Sequence, residues 1–546
     1  MESAKHAGDA AVAVSKAYGV ETMFTLSGGH VFPLYDGAVH EGMRILDVRH
    51  EQSAVFAAEA TARLTRKPGL AVLTAGPGIT NGVSGVATAH FNGSPVVVMG
   101  GRAPQSRWGS GALQELDHPP LLKPITKLSF TGTDAESVGQ DVEMAFRTAV
   151  APHRGPVFLD FYMDHLFSPS SPHEVRTQTP SPLEPDPDDL TAIARLLAEA
   201  ERPVLVYGSD VWMDRAEEAA RDFAETWRLP VIPNGQGRGI LPSGHELLVT
   251  RARSVAFKQA DLVIVIGTPL DFRLNYGWFG GSDALARVVH IADAPSQLAT
   301  HMQPAASAAG DLSVVLWSLG TACGDAGVKP DTYASWVSKL ADTAAAAIAG
   351  DAELLASDSD PIHPMRVYGE LGKVLADDAV VIGDGGDFVS YAGKYVEPKQ
   401  PGNWLDPGPY GCLGTGLGYS VAARLARPSS QVVLLLGDGA AGFSLMDVDT
   451  LVRHRLPVVM ICGNNGIWGL EKHPMQLLYG YDVAAELQPQ CRYDQVVTAL
   501  GGGGELVTKP SEIGPALRRA FDSGIPYMVN IATDPQIAYP RSTTGV

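Results

Sequence analysis

Short runs of Val, Ile and Leu, closed by glycine and separated by stretches of helical character, recur along the whole chain at 70–74, 96–100, 204–207, 262–267 and 432–436. A strand that is apolar at consecutive positions, rather than at every second one, has both faces buried. That is the mark of a parallel sheet covered by helices on each side. The pattern predicts an α/β fold of doubly wound parallel sheets, and its interruptions predict how many. Residues 167–189 are dense in Pro and Ser, a composition suited to an exposed extended connector. An alanine-rich helical segment, 333–349, then leads through Ser357-Asp358-Ser359-Asp360-Pro361 into a new block. Three consecutive domains are expected, at 1–166, 190–325 and 361–546, in keeping with the length of 546 residues.

The 41 basic and 60 acidic residues leave a net charge of −19, which opposes nonspecific attraction to nucleic acid or an anionic membrane. Cys323, Cys412, Cys462 and Cys491 are scattered without metal-ligand or disulfide-like spacing, the usage of a reducing compartment. Residues 1–11 carry charges and lack an apolar signal core, and no apolar stretch is long enough to span a bilayer. The expectation is a cytoplasmic enzyme acting on a small molecule, with neither nucleic acid nor membrane as partner.

The chemistry concentrates in the last block. Gly437-Asp438-Gly439 follows the apolar run 431–436, and Asn464-Asn465 follows the next run, 456–462, with an amphipathic stretch between them. A strand-helix-strand unit would bring Asp438 and Asn465 together beside a helix N-terminus. Mg²⁺ takes such oxygens together with phosphate oxygens, and free amides at a helix start favour an anion. Residues 437–442 also match the G-x-G-x-x-G dinucleotide pattern. However, no acidic residue ends a following strand where a ribose needs one, while paired asparagines stand where a metal would.

With these motifs the chain resembles the thiamine diphosphate enzyme superfamily. The resemblance implies Mg²⁺ held by Asp438, Asn465 and Ile467, with Gly437, Gly439 and Ala440 at the diphosphate. In the first block, Arg49-His50-Glu51-Gln52, an alanine-rich helix and Thr74-Ala75-Gly76-Pro77-Gly78-Ile79-Thr80-Asn81-Gly82 closely resemble the pyrimidine-binding domain of acetolactate synthases. Glu51 would then hydrogen-bond the aminopyrimidine N1′, and proton exchange there lets the cofactor act as its own base. Pro77 and Asn81 belong to the same pyrimidine site. In the third block, Gly411 and Leu413 would grip and bend the cofactor, leucine standing where many relatives carry methionine. Gly386, Asp387 and Phe388 would present amides to the diphosphate.

In this superfamily pyrimidine and diphosphate are held by different subunits, so a homodimer or homotetramer with shared sites is implied. Two branches compete for the reaction. Arg49-His50-Glu51, 74–81 and Leu113-Gln114-Glu115 are similar to acetolactate synthases. Leu405-Asp406-Pro407-Gly408-Pro409-Tyr410-Gly411, 442–446, 492–535, Gly239-Ile240-Leu241-Pro242, Arg253-Ser254 and Ala260-Asp261-Leu262 are similar to the 2-hydroxyacyl-CoA lyase and oxalyl-CoA decarboxylase group. The greater length of similarity favours the CoA branch, although the approach to Leu405 and the tail beyond Asp534, where Arg541 is the one basic residue, are poor in basic groups.

The central block reads as nucleotide-binding. Asp293 ends an apolar strand where an acid could meet ribose or adenine, and Arg273 and Arg253 could meet phosphates. Its tenant would be ADP or CoA in one branch and FAD in the other. For the substrate, Gly29 and His30 would face the reacting carbonyl, Gln114 matches a pocket position, and Glu471 would shuttle a hydroxyl proton if burial raises its pKa. His90, His118 and His473 read as packing or surface histidines. The leading expectation is cleavage of a 2-hydroxyacyl-CoA to a carbonyl compound and formyl-CoA. The alternatives are condensation of 2-oxo acids by an FAD-containing acetolactate synthase, and a non-catalytic nucleotide-binding scaffold.

Overall fold

A computed structural model describes residues 6–176, 181–281 and 284–540; Arg541 lies outside them. Three parallel sheets follow one another along the chain. The first contains β1 (Thr22–Thr25), β2 (Arg44–Asp47), β3 (Gly69–Leu73), β4 (Val96–Arg102), β5 (Leu128–Gly132) and β6 (Val157–Tyr162), in the order β2-β1-β3-β4-β6-β5. The central sheet contains β7 (Pro203–Tyr207), β8 (Val231–Pro233), β9 (Leu262–Ile266), β10 (Arg287–Ala292) and β11 (Ala306–Ala309), ordered β11-β10-β9-β7-β8. The third contains β12 (Val380–Asp384), β13 (Trp404–Leu405), β14 (Val432–Gly437), β15 (Val459–Asn464), β16 (Gly503–Val507) and β17 (Tyr527–Ala532), ordered β13-β12-β14-β15-β17-β16. Every pairing of these strands is parallel, as the unbroken apolar runs require.

Each sheet buries both faces. Val97, Met99 and Leu159 of the first sheet pack on one side, while Val96, Val98 and Phe158 pack on the other. That second core does not stop at the domain edge. It continues through the helices Glu51–Thr65 and Thr415–Ala426 into Leu434, Leu436 and Met460 of the third sheet. Alanines on both helices, Ala54, Ala57, Ala58, Ala422 and Ala423, permit the close approach. Gly418 is required at the crossing, because a Cβ there would lie 2.8 Å from the Ser53 carbonyl oxygen. A polar seam runs beside the apolar one. Buried Glu59 accepts from Ser94 and Asn92, and Arg63 donates to the Asp406 carbonyl.

The single helix expected between Asp438 and Asn465 is broken into Asp438–Ser444, a 3₁₀ turn Leu445–Asp447, and Val448–Arg453. Asp447 marks the break. Its carboxylate accepts from the Arg49 amide at 2.7 Å and the Ser53 hydroxyl at 2.5 Å, so the break turns an acid of the third domain toward the helix that carries Glu51. Among the described residues, no helix is long and apolar enough to cross a membrane.

Candidate active site

Strands β14 and β15 lie side by side with Gly437 opposite Gly463, so the residues that leave their C-terminal ends emerge together. Asp438, the first residue of the Asp438–Ser444 helix, is buried. Its Oδ1 accepts from the Gly439 amide at 3.1 Å and its Oδ2 from the Gly466 amide at 2.7 Å. Burial nonetheless pushes this carboxyl up to about 6, against the lowering effect of those amides. Asn465 accepts from the Ile467 amide through Oδ1 at 3.2 Å. An acid costly to ionise alone, beside a second oxygen donor, fits a divalent cation.

A cavity of about 770 Å³ opens at this point. Its walls bring together Gly386, Asp387, Phe388, Gly411, Leu413, Gly437, Asp438, Gly439, Ala440, Asn465, Ile467 and Glu471, so the diphosphate-side residues chosen from the sequence share one chamber. Glycine is needed here for two reasons. Gly386 (φ 87°) and Gly411 (φ 68°) hold left-handed backbone with open space beside it, whereas a Cβ at Gly385 would strike Leu413 at 1.9 Å. Trp468 lies over Gly439, where a Cβ would come within 2.5 Å of the indole. Phe388 can contribute only backbone, because its ring is buried against Gly463. Asp387 is buried and accepts from the Tyr539 amide at 2.9 Å. Asp384, which sequence reasoning passed over as a ligand, anchors the glycine loop instead. It accepts from the Gly414 and Gly416 amides, both at 2.9 Å, and burial pushes its carboxyl up to about 6.

The first domain assembles a second group of residues beyond the C-terminal ends of β1, β2, β3 and β4. Glu51, buried at the start of its helix, accepts from Asn81 Nδ2 at 3.0 Å. Asn81 therefore orients the carboxylate. His30 is buried, with Nδ1 3.2 Å from the Thr74 hydroxyl, and burial lowers its pKa despite a backbone hydrogen bond with Leu113. Gln114 holds a left-handed backbone (φ 58°) against Gly76, where a Cβ would stand 2.9 Å from the Gln114 Cβ. Pro77 opens the Pro77–Phe91 helix and is exposed. Gly29 starts the short 3₁₀ turn Gly29–Val31. His118 is a packing residue, as expected: its Nδ1 lies 2.7 Å from Asp160 and its Nε2 accepts from the Gly76 amide at 2.9 Å.

Among the described residues, the two groups do not share a cavity within one chain. None of the residues lining the diphosphate-side cavity comes from the first domain; its remaining wall is central-domain, with Asn234, Gly235, Arg238 and Arg273. Glu471 lines the chamber but is exposed, so the burial that its assigned role needs is absent in a single chain.

Models of three thiamine pyrophosphate enzyme domains match this chain in the order the sheets occur: the N-terminal TPP binding domain at 5–121, the central domain at 190–319 and the C-terminal TPP binding domain at 384–531. The chain belongs to the thiamine pyrophosphate enzyme family. It is 50% identical over 541 residues to the acetolactate synthase large subunit IlvG of Mycobacterium tuberculosis, covering 98% of this chain and 97% of that one. It is 33% identical to 2-hydroxyacyl-CoA lyase 2 of Caenorhabditis elegans (96% and 88% covered) and 31% identical to that of Homo sapiens (97% and 90%). This thiamine diphosphate enzyme thus has relatives in both branches seen in its motifs. Identity favours the synthase branch, against the ranking drawn from motif length.

The central domain holds another cavity, of about 650 Å³, at the ends of β7, β9 and β10. Arg273 lines both cavities and is ion-paired with Asp271 at 2.7 Å. Arg253 donates to the Arg273 carbonyl at 2.6 Å. Asp293 is absent from the wall, and both its oxygens are engaged by His153 Nδ1 at 2.8 and 2.9 Å. The ribose-facing role expected of it therefore competes with an existing partner that sequence spacing could not reveal.

Proposed function

We propose that this enzyme joins two 2-oxo acids, one of which loses its carboxylate as CO₂, to form an acetohydroxy acid, as an acetolactate synthase does. The 50% identity across 98% of the chain carries this reading. Bound thiamine diphosphate supplies the nucleophilic carbon and the electron sink for this chemistry. The chain's own residues supply the rest. Asp438 and Asn465, with the Ile467 carbonyl, would hold Mg²⁺, and the open backbone at Gly386 and Gly437 would leave room for the diphosphate beside it. Glu51, aimed by Asn81, exchanges a proton with the pyrimidine N1′. His30, kept neutral near pH 7 by burial, offers an N–H to the substrate carbonyl oxygen without adding a full charge. Gln114 and Trp468 border the acceptor substrate, and Glu471 handles the hydroxyl proton once a partner subunit covers it. FAD, rather than ADP or CoA, is the tenant this reading expects in the central cavity.

A 2-hydroxyacyl-CoA lyase is the second reading, supported by relatives at 31–33% identity with nearly full coverage. One observation weighs against it. Lys399 is the one basic residue on the approach to Leu405, residues 398–404, which leaves little there to clamp CoA phosphates. Incubating purified protein separately with pyruvate and with a 2-hydroxyacyl-CoA, and assaying acetolactate and formyl-CoA, distinguishes the two. Acetolactate from pyruvate is expected; formyl-CoA alone overturns the proposal.

A further inference from the structure

Where the first and central domains meet, a ring nitrogen of His153 and one carboxylate oxygen from each of Asp210 and Asp293 all lie within 4.8 Å of one another. Three separate parts of the chain supply them. Asp210 is in the turn after β7, Asp293 follows β10, and His153 precedes β6. Asp210 and Asp293 are at least nine-tenths buried. Asp293 is held by His153, but the Asp210 carboxylate accepts no hydrogen bond from any described residue, although it faces the central cavity. A buried carboxylate without a donor is costly, and its oxygens point to a missing partner.

The local charge defines that partner. Asp214 joins the two acids, giving three buried carboxylates, and Arg154 is spent on Asp214 at 2.6 Å while standing 3.8 Å from Asp293. Lys127, on the same cavity wall, donates its ammonium to the Ala151 carbonyl. Arg154 and Lys127 keep their charges and act on these acids as well, so the three carboxylates face two permanent cations and one imidazole, one acid in excess. A divalent cation would give the Asp210 carboxylate the partner it lacks and leave the imidazole neutral, as a metal ligand must be.

We propose that His153, Asp210 and Asp293 form a binding site for a divalent transition-metal ion, separate from the Asp438 centre, with its open coordination positions facing the central cavity. One nitrogen and two oxygens select an ion of the Zn²⁺, Co²⁺ or Mn²⁺ kind, because Mg²⁺ and Ca²⁺ prefer oxygen alone. Ligand atoms about 2.1 Å from a common centre stand at most about 4.2 Å apart, so closing the site needs a contraction on the order of half an ångström. Gly93 leaves room for the ring, since a Cβ there would lie 2.5 Å from His153 Nε2.

The test uses full-length protein carrying Asp438→Ala, which removes the charged ligand of the diphosphate-side centre, stripped with chelator and titrated with Co²⁺ alone. About one equivalent per chain is expected, seen by calorimetry and as visible d–d absorption. Adding Asp210→Asn, which keeps the side-chain shape, should weaken binding by more than about 100-fold, since even residues that only support a ligand are worth about 10- to 100-fold. Adding His153→Ala should remove the nitrogen-ligand signature from the spectrum. Circular dichroism confirms that each variant is folded, and the parent titration stands even if one is not. No stoichiometric Co²⁺ in the Asp438→Ala protein, or undiminished binding in folded Asp210→Asn, overturns the proposal.

Discussion

Glu51 and Asp384 show how single carboxylates take opposite tasks from similar burial. Glu51 is buried with one side-chain donor, Asn81, which leaves it able to trade a proton with a ligand. Replacing it by Gln keeps the size and the Asn81 contact, so cofactor affinity should change little. Exchange of the thiazolium carbon proton, followed by NMR after acid quench, should slow by about 10²- to 10⁴-fold; unchanged exchange refutes the assignment. Asp384 is fully buried and anchors two backbone amides. Its carboxyl rises from 3.8 to about 6 on folding, so the proton is bound more tightly in the folded state. The stability it confers is present below pH 3.8 and is lost as pH climbs through about 6, a change of about 3 kcal/mol. Asp384→Asn cannot titrate. Denaturant unfolding of cofactor-free protein from pH 4 to 7 should show wild type losing stability relative to the variant by that order, and a constant difference excludes the effect.

At the scale of elements, the broken helix after β14 couples two domains. The Asp447 carboxylate accepts from the Arg49 amide, the Ser53 hydroxyl and the Thr450 hydroxyl. Asp447→Ala strands these buried donors and should lower stability by roughly 2–4 kcal/mol. Because Arg49 and Ser53 flank Glu51, the variant should also speed amide hydrogen exchange at residues 49–53; protection there equal to wild type would falsify the coupling. No sequence signal announces this contact, which joins Asp447 to positions 398 and 394 residues away. The parallel sheets were legible because buried strands need no polar alternation, and Asp438 and Asn465 because both lie at the ends of neighbouring strands within one local unit. The continuous helix between them was expected from amphipathic spacing alone, and a tertiary hydrogen bond overrode it. Asp293 illustrates the same limit: its position after an apolar strand could be read, but the histidine that occupies it lies in another domain.

At the scale of the whole molecule, the main point is separation. The pyrimidine-side residues face from the first domain, the diphosphate-side residues from the third, and the chamber of the latter takes nothing from the former. If active sites form between subunits, Glu51→Gln and Asp438→Ala proteins, each inactive alone, should regain activity when mixed under conditions that exchange subunits. Random pairing into two-fold dimers places one intact site in half of them, or about a quarter of wild-type activity. Persistent inactivity in a mixture shown to contain heterodimers argues for sites within one chain. The exposed position of Glu471 belongs to the same account, since a partner that completes the site also dries it.

Arg273 lines both the catalytic-side cavity and the central one. A guanidinium shared by two chambers cannot be tuned for one occupant alone: any replacement that suits a different tenant in the central cavity also changes the field at the mouth of the other. A change at residue 273 is therefore felt in both chambers at once, and at this position the two cannot be altered independently.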